Sequence, residues 1–480
     1  MRLSQLAGEA LTTDPDIRGL TADSRAVERG FLFAALPGVL ADGAKFIPQA
    51  EERGAAAILA RPGARSTLPL VIDREPRQRL AHMAAQFFPR QPETIAGITG
   101  TNGKTSTALF AAQLWERLGR KSASLGTLGV RGKTFNAKLA HTTPEPVTLH
   151  KMLDEMTAAG VTHLAMEVSS HGLAQHRADG VKFKIAAFTN LTQDHLDYHQ
   201  GFDDYLDAKL RLFSELLDED GVAVVNKSSE YAGQFCDAAT KRGVKVIGVG
   251  ADARDIKLTK VAPHAAGLDI SVDAFGTAYS LNLPLVGAFQ AENALLAAGI
   301  VIASGAPVAD VFAGLENLKS VPGRMQLAVR VNEAAVYVDY AHTPDAVATA
   351  LKGLRPHTEG RLIAIIGAGG DRDKAKRPMM GRAAMENADI VIVTDDNPRN
   401  EDPAAIRREV IAGCPQATEI GDRREAIAAG TAMLKAGDVL LIAGKGHETG
   451  QVAGGETFVF NDVEVAREAA EALSRSKELG

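Results

Sequence analysis

Hydrophobic residues along this chain come in short dense blocks, with stretches of helical period between them. GFLFAAL (30–36) and AAAILA (55–60) have the length and composition of buried strands, and FIPQAEERGA (46–55) between them has helical spacing. Residues 1–90 therefore read as a small mixed α/β unit. TIAGIT (94–99) is a β-rich run that stops at a glycine loop, and STALFAAQLWERLGR (106–120) carries the apolar spacing of a helix. HLAMEVSS (163–170), IAAFTNL (185–191) and GVAVVN (221–226) extend the alternation, which predicts a largely parallel sheet covered by helices.

The pattern changes over 246–286, where stretches such as GLDISVDAF alternate apolar and polar residues and predict a small antiparallel edge. AENALLAAGIVIA (291–303) returns to helical spacing, and VPGR (321–324) marks a boundary. Beyond it a second α/β series begins. AVYVDYA, RLIAIIGAGGDRD, DIVIVTDDNPR and DVLLIAGKG are apolar strands that each stop at glycine or polar residues. In doubly wound sheets the loops at the carboxyl ends of strands build the site, and the chemically informative residues of this chain fall at such ends. Length agrees with several cores: 480 residues imply two to four domains.

Composition narrows the function classes. With 45% apolar and 23% charged residues, the chain has the make-up of an ordinary globular protein. A net charge of −6 gives no support for a broad nucleic-acid or anionic-membrane surface and leaves room for a local basic pocket. Cys236 and Cys414 lie far apart and outside any C-x-x-C, so neither a disulfide framework nor a zinc cluster is suggested. The start, MRLSQLAGEALTTDPDIRG, contains acids and no long apolar core, unlike a secretory signal. No run approaches the roughly 18–20 apolar residues of a membrane span. A cytoplasmic protein without membrane insertion is expected.

The glycine loop carries the first candidate chemistry. GITGTNGKTS (97–106) departs from the commonest phosphate-loop pattern, because Ile98 stands where its first glycine belongs. The strand before it and the helix after it supply the required context. Gly97, Gly100 and Gly103 permit tight turns, so successive backbone N–H groups can point at phosphate oxygens at a helix N-terminus. Lys104 would neutralise β/γ-phosphate charge and the Thr105 hydroxyl would ligate Mg²⁺. The bland alternative is an ordinary glycine-rich turn. Glu167 ends a strand and His195 sits in NLTQDHLDYH, both within reach of a metal beside the phosphates. Magnesium prefers oxygen donors, however, and a cap or ion pair suits Glu167 as well as a structural loop role suits His195. Lys209, in YLDAKLRLF, reads on spacing alone as a solvated surface lysine. DSR (23–25), HTTPEP (141–146) and SSHGLAQHR (169–177) are polar clusters suited to an anionic ligand, or else turns and caps.

GGDRDKAKRP (369–378) and DDNPRNEDP (395–403) form a second notable pair. Arg372 and Arg399 at strand ends can clamp a carboxylate with bidentate geometry. Asp396 and Asn397 can complement an ammonium, so together these residues suit an amino-acid zwitterion. Surface charge with a proline turn is the alternative, above all for Lys374 and Lys376. Glu448, in GKGHE (444–448), either accepts from an ammonium or caps a helix.

In order from residue 23 to residue 448, these motifs, with GAFQAENALLA, VPGRMQ and VDYAHTPDA, resemble the Mur ligase family. Within it they resemble the ligases that add meso-2,6-diaminopimelate to UDP-N-acetylmuramoyl-L-alanyl-D-glutamate. The resemblance implies an α/β chain of three domains. These are a small N-terminal UDP-substrate domain (1–90), a central P-loop parallel-sheet ATPase core (91–322) and a C-terminal Rossmann-like amino-acid domain (323–480). It implies ATP and two Mg²⁺ ions as cofactors, no nucleic-acid partner, and a monomer. Ala22 and Ser24, with 39–41 alongside, match uridine-binding positions. Thr142, Thr143, Ser169, Gln175 and Arg177 match positions around the muramoyl dipeptide. Lys104, Lys209 and His195 take catalytic places, and Thr105, Glu167, His195 and a carbamate on Lys209 become metal ligands. Gly100, Thr101, Asn102, Gly103, Lys104, Thr105, Ser106, Asn293 and Arg324 make up the ATP site, with His342 and Asp345 bordering it.

The run Asp396-Asn397-Pro398-Arg399 marks the diaminopimelate-adding members. Arg399 would clamp the distal carboxylate, Glu448 and the backbone near Gly444 the distal ammonium, and Arg372 the carboxylate at the reacting end. The chain departs from the family at Gln326, where glutamate is usual, and at Lys227-Ser228-Ser229, where an acid pair is frequent. Neither position belongs to the proposed site. Two rival readings are a folylpolyglutamate-synthetase-like ligase, against which DSR and DNPR speak, and a P-loop regulatory switch without ligase chemistry.

Overall fold

The computed structural model describes residues 1–38, 42–192, 198–264 and 266–478. The chain forms two compact units, one of Met1–Gly248 with Gly299–Ala306 and one of Val249–Ala298 with Pro307–Gly480. Among the described residues no helix is long and apolar enough to cross a membrane.

The first unit holds two sheets. Strands β1 (Gly19–Thr21), β2 (Phe31–Ala35), β3 (Ala57–Ala60) and β4 (Leu70–Ile72) lie in that order and are parallel throughout. Helix Pro76–Phe87 starts with proline at its first position, where no intrahelical N–H is missed. It buries Leu80, Met83 and Ala84 with Leu32, Ala34 and Leu59 of the sheet. A bidentate pair from Arg90 to Asp154, 2.6 Å at its shorter contact, and a bond from Gln78 to Asp179 at 3.1 Å tie this region to the larger sheet layer of the same unit.

The second sheet uses β5 (Thr94–Thr99), β6 (Ser122–Gly126), β7 (Gly129–Gly132), β8 (His163–Glu167), β9 (Phe183–Phe188) and β10 (Leu217–Asn226). Their order is β10-β9-β5-β8-β6-β7, parallel except for the β6–β7 hairpin. Central β5 therefore has β8 on one side and β9 on the other, which brings Thr99, Glu167 and Phe188 to one end of the sheet. Phe188 stacks on buried Phe235 with ring centroids 3.7 Å apart.

The second unit opens on the end of β11 (Lys245–Gly250), whose last residues pair in parallel with β12 (Ile256–His264). β12, β13 (Gly267–Ala274) and β14 (Thr277–Leu283) then form an antiparallel trio, as the alternation over 246–286 predicts. Its other sheet comprises β15 (Gln326–Val331), β16 (Ala334–Asp339), β17 (Leu362–Ile366), β18 (Ile390–Val393), β19 (Thr418–Glu419) and β20 (Val439–Ala443). The order is β15-β16-β20-β17-β18-β19, parallel except for β15. Leu362, Ala364 and Ile366 enter one apolar cluster, while Ile363 and Ile365 enter another with Val336, Leu440 and Ile442. Burial on both faces explains why β17 and β20 are unbroken apolar runs, each large side chain contributing about 1.5–3 kcal/mol. A short hairpin of β21 (Gly450–Ala453) and β22 (Glu456–Val459) follows β20.

Candidate active site

In the first unit, β5 runs into the glycine loop and helix Lys104–Arg117 leaves it. Gly100 and Gly103 have φ of 142° and 86°, and a Cβ on Gly100 would collide with Thr189 Oγ1, so two of the loop glycines are conformationally required. The loop is braced from the end of β9. Thr101 N donates to Asn190 O at 2.8 Å, Asn102 N to Asn190 Oδ1 at 2.9 Å and Thr189 Oγ1 to Asn102 O at 2.6 Å. The Lys104 ammonium folds back over the loop, donating to Gly100 O at 2.8 Å and Thr101 O at 2.7 Å. Thr105 and Ser106 are buried in the first turn of the helix.

Glu167 is buried at the end of β8, the strand next to β5. Its Oε2 accepts from Thr105 Oγ1 at 2.9 Å, and its Oε1 accepts from Thr127 N at 2.8 Å. Gly126 lies so close that a Cβ there would collide with Oε1. No cationic side chain pairs with Glu167 among the described residues. Among the described residues Glu167 neither caps a helix nor forms an ion pair. The network continues outward. Thr127 Oγ1 meets Thr142 Oγ1 at 3.2 Å, and Thr143 Oγ1 donates to Glu167 O and contacts Ser169 Oγ, each at 3.2 Å. Arg177 donates to Thr143 O at 2.9 Å and to Gln175 Oε1 at 2.7 Å. Thr142, Thr143, Ser169, Gln175 and Arg177 are thus linked, through Thr127 and Glu167, into one polar network beside the glycine loop.

Lys209, on helix Phe202–Arg211, is 1% exposed, which excludes a solvated surface lysine. Its Nζ donates to Gly100 O at 2.9 Å and lies 4.4 Å from the Tyr205 ring centroid. Two lysine side chains therefore converge on one loop carbonyl. His195 lies outside the described residues, as does the segment 39–41. Ser24 is buried and donates to Gln49 Oε1 at 2.6 Å, while Ala22 beside it is exposed at the end of β1.

The second unit collects its polar residues at the carboxyl ends of β16, β20, β17 and β18, adjacent in the sheet. Asp396, Asn397 and Pro398 are buried after β18, and Arg399 adopts φ of 54° and donates from Nη1 to Gly370 O at 2.6 Å. Gly370 N in turn donates to Asn397 O at 2.9 Å. Asn397 Nδ2 donates to Glu448 Oε2 at 2.8 Å. Gly444 packs on Asp396 so closely that a Cβ would collide with its Oδ2. Glu448 lies in the loop between β20 and β21, so it caps no helix. Arg372 is exposed and makes no hydrogen bond or ion pair among the described residues. Its loop is anchored by Arg377, which pairs with Glu401 and Glu409 at 2.8 Å each. The Arg377 guanidinium holds the Glu401 carboxyl down at about 2. Lys374 is an exposed partner of the same glutamate, in keeping with surface charge.

Asn293 and Arg324 belong to this unit as well. Asn293 is buried and donates to Gln290 Oε1 at 3.0 Å. The Arg324 guanidinium lies 4.5 Å from the Tyr340 ring centroid. Burial pushes the neighbouring Asp339 carboxyl up, opposed by the charge of Arg324. His342 Nδ1 contacts Tyr340 O at 2.7 Å, and Asp345 lies in the first turn of helix Pro344–Leu354. Thr127 and Arg423 also support these clusters and lie outside every motif of the sequence, whereas Arg377 and Lys445 lie inside GGDRDKAKRP and GKGHE without standing out there. Arg423 and Asp462 are a fully buried pair at 2.7 Å that also binds Ala443 O, fixing the end of β20.

Three family models match the chain. Residues 98–301 match the Mur ligase middle domain, 323–446 the Mur ligase glutamate ligase domain, and 16–88 the Mur ligase family catalytic domain. Curated relatives from Bradyrhizobium diazoefficiens and Caulobacter vibrioides are both named UDP-N-acetylmuramoyl-L-alanyl-D-glutamate--2,6-diaminopimelate ligase. They are 47% and 48% identical, with 98% of this chain and 99% of each relative covered. A solved structure bearing the same enzyme name is 32% identical, with a TM-score of 0.74 and 99% of both chains covered.

Proposed function

This chain belongs to the Mur ligase family, and we propose that it is the ATP-dependent ligase that adds meso-diaminopimelate to UDP-N-acetylmuramoyl-L-alanyl-D-glutamate in peptidoglycan precursor synthesis. The observation that carries this reading is the Asn397–Glu448 bond at 2.8 Å beside Arg399. Glu448 offers an anionic acceptor, and Arg399, two positions after Asn397, offers a cationic fork; the distal ammonium and carboxylate of this amino acid require that pair. Lysine lacks the distal carboxylate and would leave Arg399 unpaired. Sites built for a polar group reject the analogue lacking it by ~10⁴ in favourable cases.

The reaction follows from the groups available. The D-glutamyl carboxylate attacks the γ-phosphorus of ATP, ADP leaves, and an acyl phosphate forms. The diaminopimelate amine, having lost a proton, attacks that carbonyl, and inorganic phosphate leaves as the amide forms. Two anions must first be drawn together, so the loop N–H groups and Lys104 matter through charge and position. Lys104 would exchange its two loop carbonyls for phosphate oxygens. Thr142, Thr143, Ser169, Gln175 and Arg177 would hold the muramoyl dipeptide, Ala22 and Ser24 the uridine, and Asn293 and Arg324 the nucleotide. The assignment of residues 1–90, 91–322 and 323–480 to UDP-substrate, ATP and amino acid follows the same logic.

A buried carboxylate without a cationic partner is costly, and Glu167 with the Thr105 hydroxyl offers hard oxygen donors 2.9 Å apart. Those residues fit Mg²⁺. His195 and Lys209 would complete ligation for two ions, Lys209 as a carbamate that replaces an ammonium with anionic oxygens. When bound, the metal would neutralise phosphate charge. A cytoplasmic monomer is the form we expect to act. The test is phosphate release in mixtures lacking ATP, acceptor or diaminopimelate in turn. Release only in the complete mixture supports the ligase. Release that ignores the acceptor and the amino acid refutes it and favours a simple P-loop switch.

A further inference from the structure

The side chain of Lys445, between two glycines in GKGHE, is 0% exposed. Its Nζ donates to Asn397 Oδ1 at 3.1 Å, Glu448 Oε2 at 3.0 Å and Gly450 O at 2.6 Å. An ammonium has three N–H donors, so every one is used. The flanking glycines allow this threading. A Cβ on Gly444 would collide with Asp396 Oδ2, and one on Gly446 would sit 2.7 Å from Tyr340 Cβ.

We propose that Lys445 is a positioning residue for the incoming diamino acid, a buried cation that orients Asn397 and Glu448 toward the ligand. The proposal rests on the amino-acid site described above. Lysine has no acceptor, and Val452 N donates to the same Asn397 oxygen at 2.9 Å. Two donors facing one atom force that atom to be Oδ1, so the amide cannot flip. Its Nδ2 must therefore face Glu448. Lys445 and Asn397 together occupy Glu448 Oε2. Among the described residues Glu448 Oε1 accepts no hydrogen bond, and the second Nδ2–H of Asn397 has no partner. Glu448 is 31% exposed at the side chain, so that face is open. One free acceptor and one free donor remain, held rigid by a cation the ligand never touches. They match an ammonium and a carboxylate on one stereocentre. Loss of Lys445 would leave Asn397 Oδ1 held by Val452 N without the cation, loosening the amide, and would let Glu448 swing into solvent.

The test uses the full chain with Lys445→Met, Glu448→Gln and the double variant, measuring KM and kcat while diaminopimelate is varied at saturating ATP and acceptor. Lys445→Met should raise KM for diaminopimelate about tenfold or more, as loss of an oriented charge-assisted contact does. KM for ATP should stay unchanged, a split that mere loosening of the fold would not give. In the double variant no carboxylate is left without its cation, so it also serves if Lys445→Met fails to fold. Its KM for diaminopimelate should lie within about threefold of Glu448→Gln alone, because Lys445 acts mainly through Glu448. An unchanged KM in Lys445→Met, or a full additional rise in the double variant, overturns the role of Lys445 and leaves the site standing. An unchanged KM in Glu448→Gln overturns the amino-acid site itself.

Discussion

Replacing Arg399 with alanine removes the cation proposed to recognise the second carboxylate. The guanidinium is half-buried, and one corner is committed to Gly370 O at 2.6 Å. No carboxylate pairs with it among the described residues, so its remaining N–H groups are available for a bidentate partner. Two charge-assisted bonds formed there, less the cost of desolvating the fork, are worth about 3 kcal/mol. That is roughly a hundredfold in an equilibrium constant, at about 1.4 kcal/mol per decade. Arg399→Ala should accordingly raise KM for diaminopimelate about a hundredfold. Lysine offers nothing to Arg399 and leaves it unpaired, so its kcat/KM should hold or rise and the preference for diaminopimelate should shrink by at least the same factor. Coupled phosphate release with each amino acid varied in turn measures both. The backbone bonds from Arg399 N to Val452 O at 2.9 Å and from Gly454 N to Arg399 O at 2.7 Å do not involve the side chain, so folding should survive. Arg399→Lys should recover only part of the loss, since a point charge cannot reproduce the fork. An unchanged preference between the two amino acids would refute the reasoning.

Other predictions concern the phosphate end and the fold. Lys104→Ala should abolish ATP turnover while circular dichroism and the melting curve stay near those of the parent, and near-normal ligation by the folded variant would exclude the phosphate role. Glu167→Gln should raise the Mg²⁺ concentration needed for half-maximal activity about tenfold or more, as expected when an anionic oxygen donor becomes neutral. An unchanged Mg²⁺ dependence would remove Glu167 from the metal site. Burial, assisted by the charge of His82, pushes His150 down to about 4, against a weaker opposing bond to Asp179 O. The folded state then disfavours the charged imidazole, so its contribution is present above about pH 6.5 and is lost as pH falls toward 4. That contribution is about 3 kcal/mol. Urea unfolding should show this acid limb shrink in His150→Gln, and limbs of equal steepness in both proteins would contradict it.

Much of this architecture is legible in the sequence because buried parallel strands must be apolar on both faces. TIAGIT, LIAII and VLLIA stand out for that reason, and each points to a loop with chemistry at its end. Strand β6 escapes notice because Ser122, Ser124 and Gly126 leave no apolar run, and Gly126 must stay small beside the Glu167 carboxylate. Strands β1, β4 and β19 are too short to display a period. In the candidate site, DNPR stands out because it follows an apolar strand, and its link to diaminopimelate comes from the family resemblance rather than from spacing. Lys209 does not stand out, since its burial comes from the carbonyl of Gly100, 109 positions away. Lys445 is equally opaque, because its acceptor on Asn397 lies 48 positions back along the chain. Tertiary partners, rather than local spacing, decide what such lysines do.

The most direct measurement places ATP, Mg²⁺ and UDP-N-acetylmuramoyl-L-alanyl-D-glutamate in one vessel with equal concentrations of meso-diaminopimelate and L-lysine, and reads the UDP-linked product by mass. The account predicts the diaminopimelate adduct almost alone, formed one for one with phosphate. A product dominated by lysine, or phosphate without any UDP-linked amide, would contradict it.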